Sequence, residues 1–185
     1  MEITKINEAL REELRAIELS KVNPKHFEFV YNRHFPAIYS YIKSAVADKA
    51  IASDLSQDVF YSALFHLDKF NHNEFGIRPW LFGIANNALR MFFRKTKRVM
   101  YLPLDDIKLE EFQDVNHEYD LKERRDIVAK FLSQLSIEEQ EFIQLRFVAE
   151  CSFKEIAISI GVSEEACKMR FYRLLEKIRK QIEIR

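Results

Sequence analysis

Three glycines and four prolines are all that this chain of 185 residues contains. Sheet-rich folds need many tight turns built from those two residue types, so their scarcity points to an all-α fold of helices joined by short loops. The length suits one mid-sized domain or two small ones. With 48% apolar and 31% charged residues, the chain is neither disordered nor of low complexity. Two cysteines, Cys151 and Cys167, exclude a disulfide scaffold and fit a reducing compartment. The opening MEITKINEALREEL has no basic start, apolar core or cleavage site, and no apolar run approaches the roughly 20 residues that span a bilayer. A cytoplasmic protein with no direct membrane insertion is expected.

The formal net charge is zero, with 29 basic and 29 acidic residues, but the charge is unevenly spread. Residues 1–22 carry a net of −1, residues 23–102 a net of +5, residues 103–120 a net of −6 and residues 121–185 a net of +2. Two basic blocks therefore flank a short acidic connector headed by Pro103. The expected organisation is an N-terminal extension (1–22), a first domain (23–102), a charged linker (103–120) and a second domain (121–185). Leu104, Ile107, Leu109 and Phe112 make the linker more apolar than a pure spacer, so it is expected to dock for part of the time.

Ile3, Ile6, Leu10, Leu14 and Ile17 recur at steps of three and four, the mark of an amphipathic helix. This helix either caps the following domain or meets a partner, and capping is the simpler reading. Aromatic and aliphatic residues from Phe27 to Ile42 keep helical spacing within 24–46. A second helix is expected after Ser53, through Leu55, Val59, Phe60 and Leu67. A third opens at Pro79, a residue suited to a first helical turn, and runs to about Arg98. Trp80, Ile84 and Met91 on it read as core.

The second block is punctuated more sharply. Ser136 with Glu139, and Ser152 with Glu155, fit the capping box, in which serine and glutamate satisfy each other's free amides. They start helices of about 12 and 8 residues. Gly161 ends the second of these, and Ser163 caps a long helix with Glu164 and Glu165 in its first turn. Helix, glycine turn and longer helix form a helix-turn-helix. On the last helix, Phe171, Leu174 and Ile178 fall within about 40° of Cys167, a buried stripe. Lys168, Tyr172, Met169 and Arg173 fall between about 100° and 240°, on the outer side. Cations there suit phosphates or guanine edges, and apolar groups suit thymine methyls. Glu165 also points outward, where it accepts from a cytosine amino group or favours the helix start.

Arg90, Arg94, Lys95, Lys97 and Arg98 form a run without an acid, interleaved with Met91, Phe92 and Phe93. Cations beside aromatics suit single-stranded nucleic acid, though at least one phenylalanine reads as core. The loop from Asn71 to Ile77 is polar and turn-like; it contacts a ligand or simply connects helices. Nothing suggests an enzyme: His66, His72 and His117 are scattered, and no HExxH, phosphate-binding loop or nucleophile elbow is present. The two cysteines lack partners at zinc spacing and read as core thiols, so no metal or cofactor is expected.

Four stretches together resemble the extracytoplasmic-function class of bacterial RNA polymerase sigma factors. Asp54-Leu-Ser-Gln-Asp-Val-Phe60 resembles its D-x-x-Q-[ED]-V-F signature. Residues 78–87, RPWLFGIANN, resemble its R-x-W-L-x-x-I-A-x-N segment, followed by a basic run. Residues 135–147 resemble the opening of its second domain, and residues 153–173 its terminal helix-turn-helix. The resemblance covers about residues 24–98 and 121–180.

That resemblance implies a transcription-initiation factor that binds the clamp helices of core RNA polymerase, with Asp54, Gln57 and Asp58 on the contacting surface. It implies that the first domain opens the minus-ten element of promoter DNA. A flipped base would be held by the 71–77 loop, including Asn71 and Asn73, with Asn87 nearby and Arg90, Arg94, Lys95, Lys97 and Arg98 along the strand. The second domain would read the minus-thirty-five element through Glu165, Lys168, Met169, Tyr172 and Arg173. An anti-sigma protein is an expected partner. Phe75 and Gly76 stand where the class usually has Gly-Ser. The rival reading is a helix-turn-helix regulator that works without polymerase; it has no need of the Asp54–Phe60 signature or the acidic linker.

Overall fold

The computed structural model describes residues 2–96 and 134–183, and every regular element among them is helical. Lys97, Arg98 and the expected linker 103–120 lie outside the described residues, as do the side chains of Ile3, Ile6 and Ile178. The chain divides into two compact units, Met1–Lys97 and Arg98–Arg185.

Unit 1 begins with α1 (Glu2–Val22), followed by a 3-10 turn (Pro24–Phe27) and α2 (Glu28–Val46). The Asn23 side chain accepts from the Lys25 amide at 3.1 Å and so starts the turn that Pro24 enters. α1 lies against α2 and this turn, with Ile17 fully buried and Leu10 and Leu14 half-buried. The N-terminal residues are thus part of the unit's core rather than an appendage; burying a side chain like Ile17 contributes about 1.5–3 kcal/mol.

Ala47 takes a left-handed conformation (φ 58°) that ends α2, and α3 (Lys49–Phe65) begins at once. Its start corrects the sequence expectation. The cap is Asp48, whose carboxylate accepts from the amides of Ala50 (2.9 Å) and Ile51 (3.1 Å). Ser53 is left inside the helix, because an extended aspartate five residues earlier already satisfies the free amides. A second 3-10 turn (Leu67–Lys69) and the 71–77 loop lead to α4 (Arg78–Thr96). α2, α3 and α4 pack on one another through Val30, Ile42, Val59, Leu81, Phe82 and Leu89, all fully buried. Phe93 is buried too, but Met91 is 63% exposed, against the expectation that it is core. The true core stripe of α4 is Leu81, Ala85 and Leu89; Trp80 and Ile84 are half-buried, and that edge of the stripe leads Met91 out to solvent.

Unit 2 contains α5 (Ile137–Ile143), which widens into a π turn (Gln144–Val148), then α6 (Phe153–Ile160) and α7 (Glu164–Glu183). Both expected capping boxes are formed: Ser136 with Glu139, and Ser152 with Glu155. Gly161 sits at φ 70°, and the Val162 amide reaches back to the Ala157 carbonyl at 3.0 Å, closing α6 in the glycine-dependent way. Ser163 Oγ accepts from the Ala166 amide at 3.1 Å and starts α7. Phe171 centres the core, with its ring 5.2 Å from Phe153, 6.1 Å from Phe142 and 6.2 Å from Phe147. Cys151 and Cys167 are both buried, and burial pushes the Cys167 thiol up to about 11, which keeps it protonated.

Candidate functional site

The helix caps decide which residues face solvent. With α3 set by Asp48, its outer face carries Asp54, Gln57 and Asp58, all exposed. Gln57 Nε2 donates to Ser53 Oγ at 3.3 Å, which holds the amide along the helix surface. Three and seven residues beyond Asp58, Tyr61 and Phe65 continue this face, each 73% exposed. Two large rings in water beside two carboxylates make a face built for contact. Both rings are legible in the sequence only through the series 54, 58, 61, 65, which keeps the steps of three and four that place residues on one helix side.

On α4, Asn87, Arg90, Met91, Arg94 and Lys95 are exposed, so these three cations lie on the side of the helix away from Leu89 and Phe93. A groove of about 780 Å³ runs along the outer side of the α3–α4 contact. Leu55 and Asp58 line it from α3, and Asn87, Met91, Arg94 and Lys95 from α4. The structure therefore brings Asp58, assigned to one role, beside residues assigned to another.

The 71–77 loop is built differently. Asn71 and His72 are exposed, whereas Asn73 is half-buried. Its Oδ1 accepts from the Phe75 amide at 2.8 Å, and its carbonyl accepts from the Gly76 amide at 3.3 Å. Asn73 therefore shapes the loop, while Asn71 faces outward. Behind the loop stands α1. Glu13 Oε1 accepts from the Ile77 amide (2.9 Å), and Glu13 Oε2 takes His34 Nε2 (2.8 Å) and Arg33 Nε (3.2 Å). Burial pushes the Glu13 carboxyl up, but the bonds from His34 and the Ile77 amide, with the Arg33 charge, outweigh it and hold the group below the usual carboxylate range.

In unit 2 the outer face of α7 carries Glu165, Lys168, Met169, Tyr172 and Arg173, all exposed, while Cys167, Phe171 and Leu174 are buried. Met169 is 53% and Tyr172 60% exposed, so neither belongs to the core. Glu165 is held below its usual range by hydrogen bonds from its own amide and from Ser163, which puts it at work on the helix start. Lys168 Nζ pairs with Glu164 Oε1 at 2.6 Å, and that bond raises the ammonium above its ordinary value.

Residues 30–99 match the family model for Sigma-70 region 2, and residues 125–178 match that for Sigma-70, region 4. The RNA polymerase sigma factor CarQ of Myxococcus xanthus is 30% identical, over 83% of this chain and 87% of its own. The chain belongs to the sigma-70 family. Within it the extracytoplasmic-function sigma factor SigM of Bacillus subtilis (strain 168) is 27% identical, over 81% of this chain and 91% of its own. This is an extracytoplasmic-function sigma factor, and it directs transcription initiation. The sigma fold is shared with CnrH, solved in complex with the cytosolic domain of CnrY, at a TM-score of 0.60 and 22% identity, covering 94% of this chain and 97% of that one. It is also shared with RpoE of Bartonella quintana, solved with the anti-sigma factor NepR, at a TM-score of 0.53 and 22% identity, covering 86% of this chain and 98% of that one. No helix among the described residues of this sigma factor is long and apolar enough to cross a membrane.

Proposed function

We propose that unit 1 docks on the clamp helices of core RNA polymerase through the outer face of α3, Asp54, Gln57, Asp58, Tyr61 and Phe65. The observation that carries this is the exposed acidic and aromatic row itself, which a regulator acting on duplex DNA alone has no use for. Basic and apolar partners complement it: salt bridges at the Asp54 end and ring burial at the Phe65 end.

Opening of the minus-ten element then falls to the other exposed features of unit 1. The 71–77 loop receives a flipped base, with Asn71 outward and Asn73 holding the loop's shape. Asn87, Arg90, Arg94 and Lys95 on α4 follow the separated strand, and Lys97 and Arg98 extend the same basic run in sequence. Unit 2 reads the minus-thirty-five duplex with Lys168, Met169, Tyr172 and Arg173, and Glu165 serves chiefly the start of α7. The functional domains are residues 23–102 and 121–185, with 103–120 as the linker and the N-terminal helix joined to the first. The protein works in the cytoplasm, without catalysis or cofactor. Because CnrH and RpoE were solved with CnrY and the anti-sigma factor NepR, an anti-sigma protein is the regulatory partner that we assign to this chain as well.

The test is transcription from a promoter selected with the reconstituted holoenzyme. Product should appear only when core polymerase is supplied. Joint replacement of Asp54 and Asp58 by lysine should weaken core binding at least tenfold, a loss of about 1.4 kcal/mol, with unit 1 still folded. Wild-type core affinity in that folded variant removes α3 from the polymerase contact. Promoter binding that is indifferent to core favours the duplex-only regulator.

A further inference from the structure

Glu13 is an acid on the apolar side of an amphipathic helix, three residues after Leu10 and four before Ile17. Its side chain is only 3% exposed. A carboxylate is costly to bury unless its oxygens are bonded, and here they are shared between two elements. Oε2 faces α2 and takes His34 and Arg33, while Oε1 faces the loop and takes the Ile77 amide, 64 residues away in sequence. The same oxygen fixes the neighbouring residue. Gly76 sits at φ 67°, and a Cβ there would lie 2.2 Å from Glu13 Oε1 and 3.0 Å from Leu10 Cδ1. The loop backbone thus presses directly on α1, and only glycine permits it. Five residues along α1, Glu18 Oε1 holds His72 Nε2 at 2.9 Å, so the loop is clasped near its beginning and at its end. Between the two clasps, Asn73 ties down the amides of Phe75 and Gly76.

We infer that Glu13 is a positioning residue for promoter opening: it presets the 71–77 loop in the shape that receives the unstacked base, and Gly76 is the counterpart that lets it do so. The inference rests on the assignment of this loop to the flipped base. α1, outside both matched family regions, becomes in this account a working part of the promoter-melting apparatus. Preorganisation is where its value lies, because a loop already in shape loses little freedom when the base arrives. A buried acid serving stability alone would affect every activity of the unit equally.

The experiment uses the holoenzyme, reconstituted from core polymerase and the full chain, and measures binding to single-stranded minus-ten oligonucleotides carrying each of the four bases at the captured position. Core affinity and minus-thirty-five duplex affinity are measured beside it. Glu13→Ala and Gly76→Ala are each expected to weaken the preferred oligonucleotide about tenfold and to narrow the spread among the four bases, with both control affinities within about twofold of wild type. Glu13→Gln keeps an acceptor for the Ile77 amide and should recover most of the base preference. Asn71→Ala and Phe75→Ala, which alter the loop itself, test the underlying assignment. If they weaken binding while folded Glu13→Ala and Gly76→Ala bind and discriminate like wild type, the positioning role is overturned and the loop assignment stands. If none of the four has an effect, the loop assignment fails and the positioning role falls with it. Should Glu13→Ala or Gly76→Ala not fold, Glu18→Ala decides, since Glu18 lies on the surface of α1. A loss of base discrimination without loss of core binding then supports the role, and unchanged discrimination overturns it.

Discussion

The helix starts of unit 2 and the 71–77 loop of unit 1 are fixed on different length scales. In unit 2 the bonds that define its helix starts run between residues three apart: Ser136 with Glu139, Ser152 with Glu155, Ser163 with Ala166. In unit 1 the decisive side-chain bonds join distant parts of the chain: Glu13 to Ile77, Glu18 to His72, Tyr41 to Asn86. A reading helix needs only to be a regular helix with one side buried, which local signals can secure. A loop that grips one base, the role proposed for residues 71–77, needs a particular irregular shape, and an irregular shape has to be enforced from outside.

The strongest way to break the contrast is to remove the centre of unit 2. Phe171→Ala deletes a buried ring in contact with three others and should cost about 3–5 kcal/mol, enough to unfold a small helical unit. Denaturant melts should show unit 1 unfolding as in the wild type, and duplex minus-thirty-five binding should vanish. Unfolding of both units together would mean that they are one cooperative body.

Two left-handed glycines sharpen it further. Gly76→Ala must displace a bonded, buried carboxylate and should cost about 3 kcal/mol, combining backbone strain with a lost charge-assisted bond. Gly161→Ala meets nothing within 4 Å and carries the backbone strain alone, about 1 kcal/mol. Equal costs in thermal melts would mean that the Glu13 contact contributes nothing. Between these two lie the residues proposed to read the duplex: Lys168→Ala and Arg173→Ala should each weaken minus-thirty-five binding by about 1–3 kcal/mol if they touch bases. If they touch phosphate, the loss is uniform across sequences and the salt slope drops by about one.

The smallest effect is in pH. Glu13 is held below its usual range in the folded chain, so the stability it supplies is complete above about pH 4.5 and is lost as pH falls through the lower, folded value. The stability difference between wild type and Glu13→Gln should therefore shrink on acidification from about pH 5.5 to 3. At neutral pH the loss of a unit 2 cap, Ser152→Ala against wild type, should cost about 1 kcal/mol.

The same distinction explains what could be read from the sequence. Capping boxes, Gly161 and the Cys167–Phe171–Leu174 stripe are each contained within a few turns, and their periodicity is visible without a fold. Serine before an apolar run is a good cap signal, which points to Ser53 as the start of α3; Asp48 prevails because Ala47 turns left-handed and Asp48 itself is extended. Met91 has the spacing of core residues, yet lies where the α4 stripe rotates into the groove facing α3. Glu13 gave no signal of its own, since an acid in an amphipathic helix ordinarily marks the wet side. Only its spacing from Leu10 and Ile17 set it among the apolar positions, and its partner, Gly76, is brought near by folding alone.

If α7 reads promoter DNA as proposed, the pairing of Lys168 with Glu164 has a consequence for how the protein searches a genome. A lysine that already has an anion one turn away gains little from an arbitrary phosphate, because each such encounter trades one partner for another. The exchange becomes worthwhile only where the surrounding surface also fits, with Met169, Tyr172 and Arg173 seated together. On the proposed reading role of α7, Glu164 would shorten residence on random duplex more than residence at the true site, and the helix would give up some grip in return for faster passage along DNA that carries no promoter.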